Sequence, residues 1–291
     1  MARVQLFAQP DFVPPVDDLS FLAGSQIAVT GGRGVLGSIL ARRCAAAGLR
    51  ASLYGGDVVD RCAVAAWLRE ADPTVVLHFA ARVPVTEVER DPLHAYEVNA
   101  LGAFNVAAAI ARHAPRAWFF LASSSHVYAP VLPGDTVPVK EDARIEPATF
   151  YGISKLAGER LASPILERFG IPSCIGRIFS FSHHTQRPPY LVPSLLTKIE
   201  GIPDGGVLRV AAPTAVRDIL DAETVIDIVL ALAQRRYAGT VNIGAGRGLS
   251  VAEIAEILAA RVGKHVRVEA EGTVHPNSLV ADVARLRAIL G

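Results

Sequence analysis

Tyr151 and Lys155 stand four residues apart in "TFYGISKLAGE" (149–159), at what reads as the start of a helix. Positions i and i+4 are neighbours on one helical face, so the phenol and the ammonium meet. A free phenol titrates near 10, too high for a base at neutral pH. An adjacent ammonium favours the phenolate and typically lowers such a pKa by about 1–3 units. The pair is a candidate acid–base device, and ordinary helix packing remains its alternative, because the spacing also arises by chance.

A second set of residues is suited to an anion. "TGGRGVLG" places Gly31, Gly34 and Gly37 between an apolar run, "QIAVT" (26–30), and a helix that starts at Val35 and Leu36 and ends at Gly48. Glycine suits a turn of positive φ, and a Cβ would keep a pyrophosphate away from the backbone N–H groups. The helix N-terminus adds partial positive charge, so the segment reads as a dinucleotide-binding turn.

The elements that position these residues alternate. "RASLYGG" is a short strand, "RCAVAAWLREADP" a helix closed by Asp-Pro, and "TVVLHFAA" an apolar strand of the fully buried kind. A long helix is expected over 92–113, a strand in "AWFFLASSS", the Tyr151 helix as far as Phe169 with a kink at Pro164, and a strand in "PSCIGRIFSF". This alternation predicts right-handed βαβ crossovers, hence a Rossmann-like, doubly wound parallel α/β sheet. The expected organisation is an N-terminal arm (1–23), a dinucleotide-binding domain (24–180 and 217–245) and a small C-terminal lobe that binds substrate (181–216 and 246–291). In that lobe Ser250 and Glu253 form a capping box for a helix.

Composition narrows the partners. The 291 residues carry a formal net charge of +1 and no Lys/Arg run of five, which argues against nucleic acid and anionic membrane. Hydrophobic residues at 51% suit a large core. Cys44, Cys62 and Cys174 are scattered, without C-x-x-C spacing, as expected of a reducing cytoplasm. The N-terminal stretch lacks the apolar run of a signal peptide, and no window approaches the ~18 apolar residues of a membrane span. His183 and His184 have no third ligand at fitting spacing, so no metal is expected.

The G-x-x-G-x-x-G spacing begins a family resemblance. With "GDVVD" (56–60), "LHFAA" (77–81), "VNALGAFNV" (98–106), "SSSHVY" (123–128), "YGISK" (151–155), "RDILDAETV" (217–225) and "NIGAG" (242–246) in order, the chain resembles the extended short-chain dehydrogenase/reductases. That branch, the NAD-dependent epimerase/dehydratase family, includes nucleotide-sugar epimerases, dehydratases and reductases. The resemblance implies that Tyr151 is the general acid/base and that Ser124, four residues before Tyr128, polarises the substrate oxygen. It implies that Lys155 lowers the phenol pKa and holds the nicotinamide ribose. Asp57, Val58, Phe79, Ala80, Ala81 and Asn99 fall on cofactor-side motifs, Asn99 in a supporting role. It also implies a homodimer built through the two long helices.

Departures from the family pattern narrow the reaction. Sugar-nucleotide dehydratases carry Asp-Glu where this chain has Ser125-His126, so dehydration is not expected. Ser125 either contacts substrate or satisfies strand-end backbone groups, and His126 is either a proton donor near the sugar or a neutral ring at the cleft mouth. No acid sits at the usual end of the second strand, and Asp57 is either an adenine contact or a displaced ribose acid. Arg33, within the glycine loop, suits a 2′-phosphate or simply faces solvent; NADP(H) is favoured, with NAD(H) second. Arg217 resembles the arginine that grips the substrate diphosphate, or it pairs with Asp218 or Asp221. His183, with His184, Gln186 and Arg187, stands where the chain enters the lobe and is a candidate sugar or nucleotide contact. The expected activity is reduction of the C4 keto group of a nucleoside-diphosphate 4-keto-6-deoxyhexose. The alternatives are an NAD-dependent 4-epimerase and, last, a non-catalytic dinucleotide-binding protein.

Overall fold

Every position of β1 (Ile27–Thr30) and β3 (Val75–His78) is buried, as strands covered on both faces must be. A computed structural model of the protein describes residues 7, 9–131, 138–272 and 277–291. Its central sheet adds β2 (Ala51–Tyr54), β4 (Trp118–Ser124), β5 (Ser173–Ile178) and β10 (Gly239–Ile243) in the order β10-β5-β4-β3-β1-β2, all parallel. From β1 the chain goes to β2 on one side and then returns to β3 on the other. The crevice beyond the carboxyl ends of β1 and β3 is therefore the topological switch point, where ligands bind in such sheets.

Helices cover both faces. On one, α1 (Val35–Ala46) and α8 (Ala222–Gln234) pack with Leu19 and Leu22 of the N-terminal arm. On the other lie α2 (Arg61–Ala71), α5 (Gly102–His113) and α6 (Phe150–Arg168). The expected helix over 92–113 is instead α4 (Pro92–Tyr96), a π turn (Glu97–Leu101) and α5 in continuous succession, after the short α3 (Val85–Val88). α6 continues through Pro164, which lies on its exposed side, where water can serve the carbonyl that loses its helical partner.

"PSCIGRIFSF" divides at Phe179 into β5 and β6 (Ser180–Ser182), and β6 leaves the central sheet to pair with β9 (Ile219–Asp221). The lobe has its own core. Here α7 (Leu191–Glu200) packs on α9 (Val251–Arg261) beside β7 (Gly206–Val210) and β12 (Val266–Ala270), and β8 (Val216–Arg217) pairs with β11 (Leu249–Ser250). The expected capping box of Ser250 and Glu253 is present on α9. Residues 246–291 do not all belong to this lobe. α10 (Ala284–Leu290) returns to β10, and its Leu286 and Leu290 are buried with α8 in the main core. Among the described residues no helix is long and apolar enough to cross a membrane, and no cluster of His, Cys, Asp or Glu is placed to hold a metal.

Candidate active site

Gly31 takes φ +73°, and a Cβ there would lie 2.6 Å from the Ala80 nitrogen, so the turn after β1 is pressed against the segment leaving β3. Gly34 is the N-cap of α1 in extended conformation. No side chain caps the helix and no acid stands in its first turn, which leaves its N–H groups to a ligand. A cavity of about 470 Å³ starts at this loop, along Gly31, Arg33, Gly34, Val35, Leu36 and Gly37. It runs past Asp57, Val58, Phe79, Ala80 and Ala81 to Ser124, Tyr151 and Lys155. Its walls fit a dinucleotide: an anion-receptive helix end at one side and the acid–base residues at the other.

The chemical end is built by close approach of α6 to the end of β4. Thr149 caps α6 by accepting the Gly152 N–H at 3.1 Å, which sets Tyr151 in the first turn. A Cβ on Gly152 would fall 2.2 Å from the His126 carbonyl oxygen, so only glycine admits this packing. The Tyr151 phenol hydrogen-bonds the Ser124 hydroxyl, which also accepts the His126 N–H at 3.2 Å. Burial pushes Tyr151 up to about 12 against the opposing pull of the Ser124 bond. Desolvation is the dominant influence on this phenol, and Lys155 is not among the groups that set it. Burial draws Lys155 down to about 8, opposed by the Glu159 carboxylate, so it stays mainly an ammonium at pH 7. His78 is drawn down to about 3 by burial and by Lys155, and its neutral ring bonds Thr30 at 2.7 Å across the switch point.

The remaining predicted residues separate into two groups. Arg33 and Asp57 line the cavity near the end of β2, where an Arg33 Nη2 donates to the Gly55 carbonyl at 3.4 Å and Asp57 accepts the Val59 N–H. Asn99 lies outside the cavity lining: its Oδ1 accepts the Arg82 N–H, and its Nδ2 donates to the Arg82 carbonyl and to Ser154. It clamps the segment after β3 to α6. Ser125 and His126 are also outside the lining. The His126 ring meets Tyr151 edge-on at 5.4 Å and is kept neutral, drawn down to about 4 by burial and by Arg217.

His183 is not brought to the cleft. It bonds Thr185 and feels the charges of Glu223 and Arg42, because the chain after β6 passes over α1 and α8 before entering the lobe. Arg217 is largely buried, with Nη1 donating to the Val216 and Asn277 carbonyls, and the Asp218 carboxylate is taken by the N–H groups of Ala245, Gly246 and Ala281. Arg217 is outside the cavity lining but close enough for its charge to act on His126. Tyr190 and Arg82 are among the lining residues that escaped sequence reasoning. An aromatic after Pro188-Pro189 and a cation straight after "HFAA" were the available signals.

The parallel sheet, its switch-point cleft and the clustered Ser124, Tyr151 and Lys155 define an enzyme of the extended short-chain dehydrogenase/reductase type. Residues 43–286 match the family model described as GDP-mannose 4,6 dehydratase, and the chain belongs to that family. It is 29% identical to the GDP-6-deoxy-D-mannose reductase of Pseudomonas aeruginosa (strain PAO1) over 219 residues, covering 74% of this chain and 68% of that one. It is 27% identical to the UDP-glucose 4-epimerase of Lactobacillus helveticus, covering 83% of this chain and 78% of that one. Among solved structures, RMD from Pseudomonas aeruginosa complexed with NADPH superposes with a TM-score of 0.80 at 24% identity, covering 91% of this chain and 92% of that one.

Proposed function

We propose that the protein reduces the C4 keto group of a nucleoside-diphosphate 4-keto-6-deoxyhexose with NADP(H). The observation that carries this reading is the convergence of Ser124, Tyr151 and Lys155 at one end of a cavity whose other end is the open N-terminus of α1. In this reading the Gly31–Gly37 loop holds the pyrophosphate, and Arg33 lies beside the end of β2 to receive a 2′-phosphate. The nicotinamide supplies a hydride when bound. Ser124 donates a hydrogen bond to the sugar oxygen, and the Tyr151 phenol gives that oxygen its proton. In the reductive direction the phenol starts protonated and leaves its proton on the sugar oxygen. The sequence similarity to a GDP-6-deoxy-D-mannose reductase supports the same direction.

A 4-epimerase working with NAD(H) is the second reading, supported by similarity to a UDP-glucose 4-epimerase and by an acid, Asp57, in the cavity wall. Mixing the protein with NADPH and a nucleotide 4-keto-6-deoxyhexose discriminates: stoichiometric loss of nicotinamide absorbance is expected. C4 inversion of a nucleotide sugar, with NAD retained through purification, identifies the epimerase instead. Inertness with bound cofactor rejects both.

The same proposal includes a homodimer. Leu93 (70% exposed), Tyr96, Leu101 and Phe104 form an apolar stripe along α4, the π turn and α5, beside Phe150 and Ile153 of α6. A second copy covering this face buries it. Leu101→Glu with Ile153→Glu is expected to halve the mass seen by light scattering while the far-ultraviolet circular dichroism stays unchanged. A wild type that elutes as a monomer at micromolar concentration rejects the dimer.

A further inference from the structure

Directly behind the cleft lies a second cluster that the proposed chemistry does not use. Glu159 follows Lys155 by one turn of α6, so Tyr151, Lys155 and Glu159 stand at i, i+4 and i+8 on the face turned to the sheet. Glu159 is 4% exposed, and Lys155 and Arg177 are 5% and 7% exposed. Arg177, from β5, donates to both carboxylate oxygens, Nη2 to Oε2 at 2.8 Å and Nε to Oε1 at 3.1 Å. The Ser123 hydroxyl, from β4, donates to Oε1. Ser123 is the neighbour of Ser124, so one carboxylate joins the catalytic helix to the strand that ends at the catalytic serine.

A buried carboxylate held by so many donors is more than an ion pair needs. A surplus of fixed donors makes it a rigid anion, and an anion fixed one turn from a buried ammonium acts on that ammonium. We propose that Glu159 is a positioning residue that supplies the counter-charge for the Lys155 ammonium and, through Ser123, fixes the end of β4 beside Tyr151. The inference rests on the reading that Lys155 serves the active site.

The other groups around the pair are accounted for. Lys155 faces Tyr151 on its own helix, Ser124 on β4 and the neutral His78 on β3. Glu159 faces Ser123 and Arg177. Behind Arg177 stand the Tyr128 hydroxyl and the Glu141 carbonyl, which take its Nη1, while the Glu141 carboxylate takes the Asn242 N–H and pairs with Arg285. Glu159 is therefore the anion on the catalytic helix's own inward face, and the Coulomb effect opposing deprotonation of Lys155 comes from it.

The chain has only four lysines, Lys140, Lys155, Lys198 and Lys264, which makes the charge directly readable. Protein labelled with ¹³Cε-lysine is titrated by NMR, with the Lys155 signal identified by its loss in Lys155→Arg. In the unaltered protein the midpoint is expected near pH 8. In Glu159→Gln it is expected to fall by about one unit or more, the usual effect of removing a close opposite charge. Ser123→Ala, which leaves the charge, is expected to leave the midpoint in place. Because Glu159→Gln orphans a buried guanidinium and such losses can prevent folding, Glu159→Gln/Arg177→Met is the second variant, with a fall of the same sign. A midpoint unmoved in either folded variant overturns the proposal. The titration needs no sugar and no turnover, so a wrong substrate assignment leaves its outcome unaffected.

Discussion

Replacing Tyr151 by phenylalanine is expected to lower kcat by about 10²–10⁴-fold, the range usual for loss of a positioned general acid. Cofactor affinity is expected to change little. The substitution deletes one hydroxyl and leaves the ring, so the edge-on contact with His126 at 5.4 Å and the packing of the first turn of α6 persist. Ser124 loses its phenol partner but keeps the His126 N–H, and it still reaches a substrate oxygen. What disappears is the phenol hydroxyl at the cleft end of the cavity, the proposed proton donor, while the Lys155 ammonium beside it stays in place. Loss of one buried hydrogen bond costs about 0.5–1.5 kcal/mol of stability, so the melting temperature moves by a few degrees at most. The check is a pair of measurements, single-turnover oxidation of NADPH and NADPH affinity by fluorescence. A variant that turns over at the unaltered rate removes Tyr151 from the chemistry.

Much of the site was written in local sequence because local physics makes it. The glycine loop is legible since only glycine tolerates φ +73° at position 31 and the crowding at position 37. The buried strands are legible as apolar runs because both faces are covered. Tyr151 and Lys155 are legible because helical periodicity alone places them on one face. The residues that sequence reasoning misplaced depend on where distant segments cross. His183 was expected at the sugar, but the course of the chain after β6 carries it to Arg42 and Glu223, and nothing in "SHHTQRPPY" encodes that direction. Arg217 was read as an anion contact, and the crossing of distant segments that sets its Nη1 against the Val216 and Asn277 carbonyls is not announced in the local sequence. Asn99 was assigned by motif to the cofactor side. Its three hydrogen bonds are used to hold Arg82 and Ser154, which a motif cannot reveal. The same limit explains the C-terminus, where the apolar spacing of α10 announces a buried face but not which of two cores receives it.

Changing Gly37 to alanine is expected to weaken NADPH binding by at least about 100-fold, equivalent to roughly 3 kcal/mol, and to lower the melting temperature. Helix propensity predicts the reverse sign, since alanine in a helix is favoured over glycine by up to about 1 kcal/mol. Contact decides against propensity. The added Cβ would lie 2.3 Å from the Gly31 carbonyl oxygen, 2.7 Å from the Gly32 Cα and 2.9 Å from the Gly31 carbonyl carbon. All three are backbone atoms and cannot rotate aside. Nor can the loop retreat, because Gly31 is itself pressed on the Phe79–Ala80 backbone. The first turn of α1 must therefore move outward, and the N–H groups that converge on a pyrophosphate diverge. Gly34→Ala is the informative control. Its Cβ would meet only the Gly31 oxygen at 3.3 Å, and its backbone is extended at φ −74°, which any residue adopts. That variant is expected to keep the unaltered melting temperature and lose affinity only through the extra methyl at the mouth of the loop. NADPH fluorescence titration beside thermal unfolding separates the two effects. A Gly37→Ala protein that binds NADPH as tightly as the unaltered chain shows that this turn is not where the cofactor's phosphates sit.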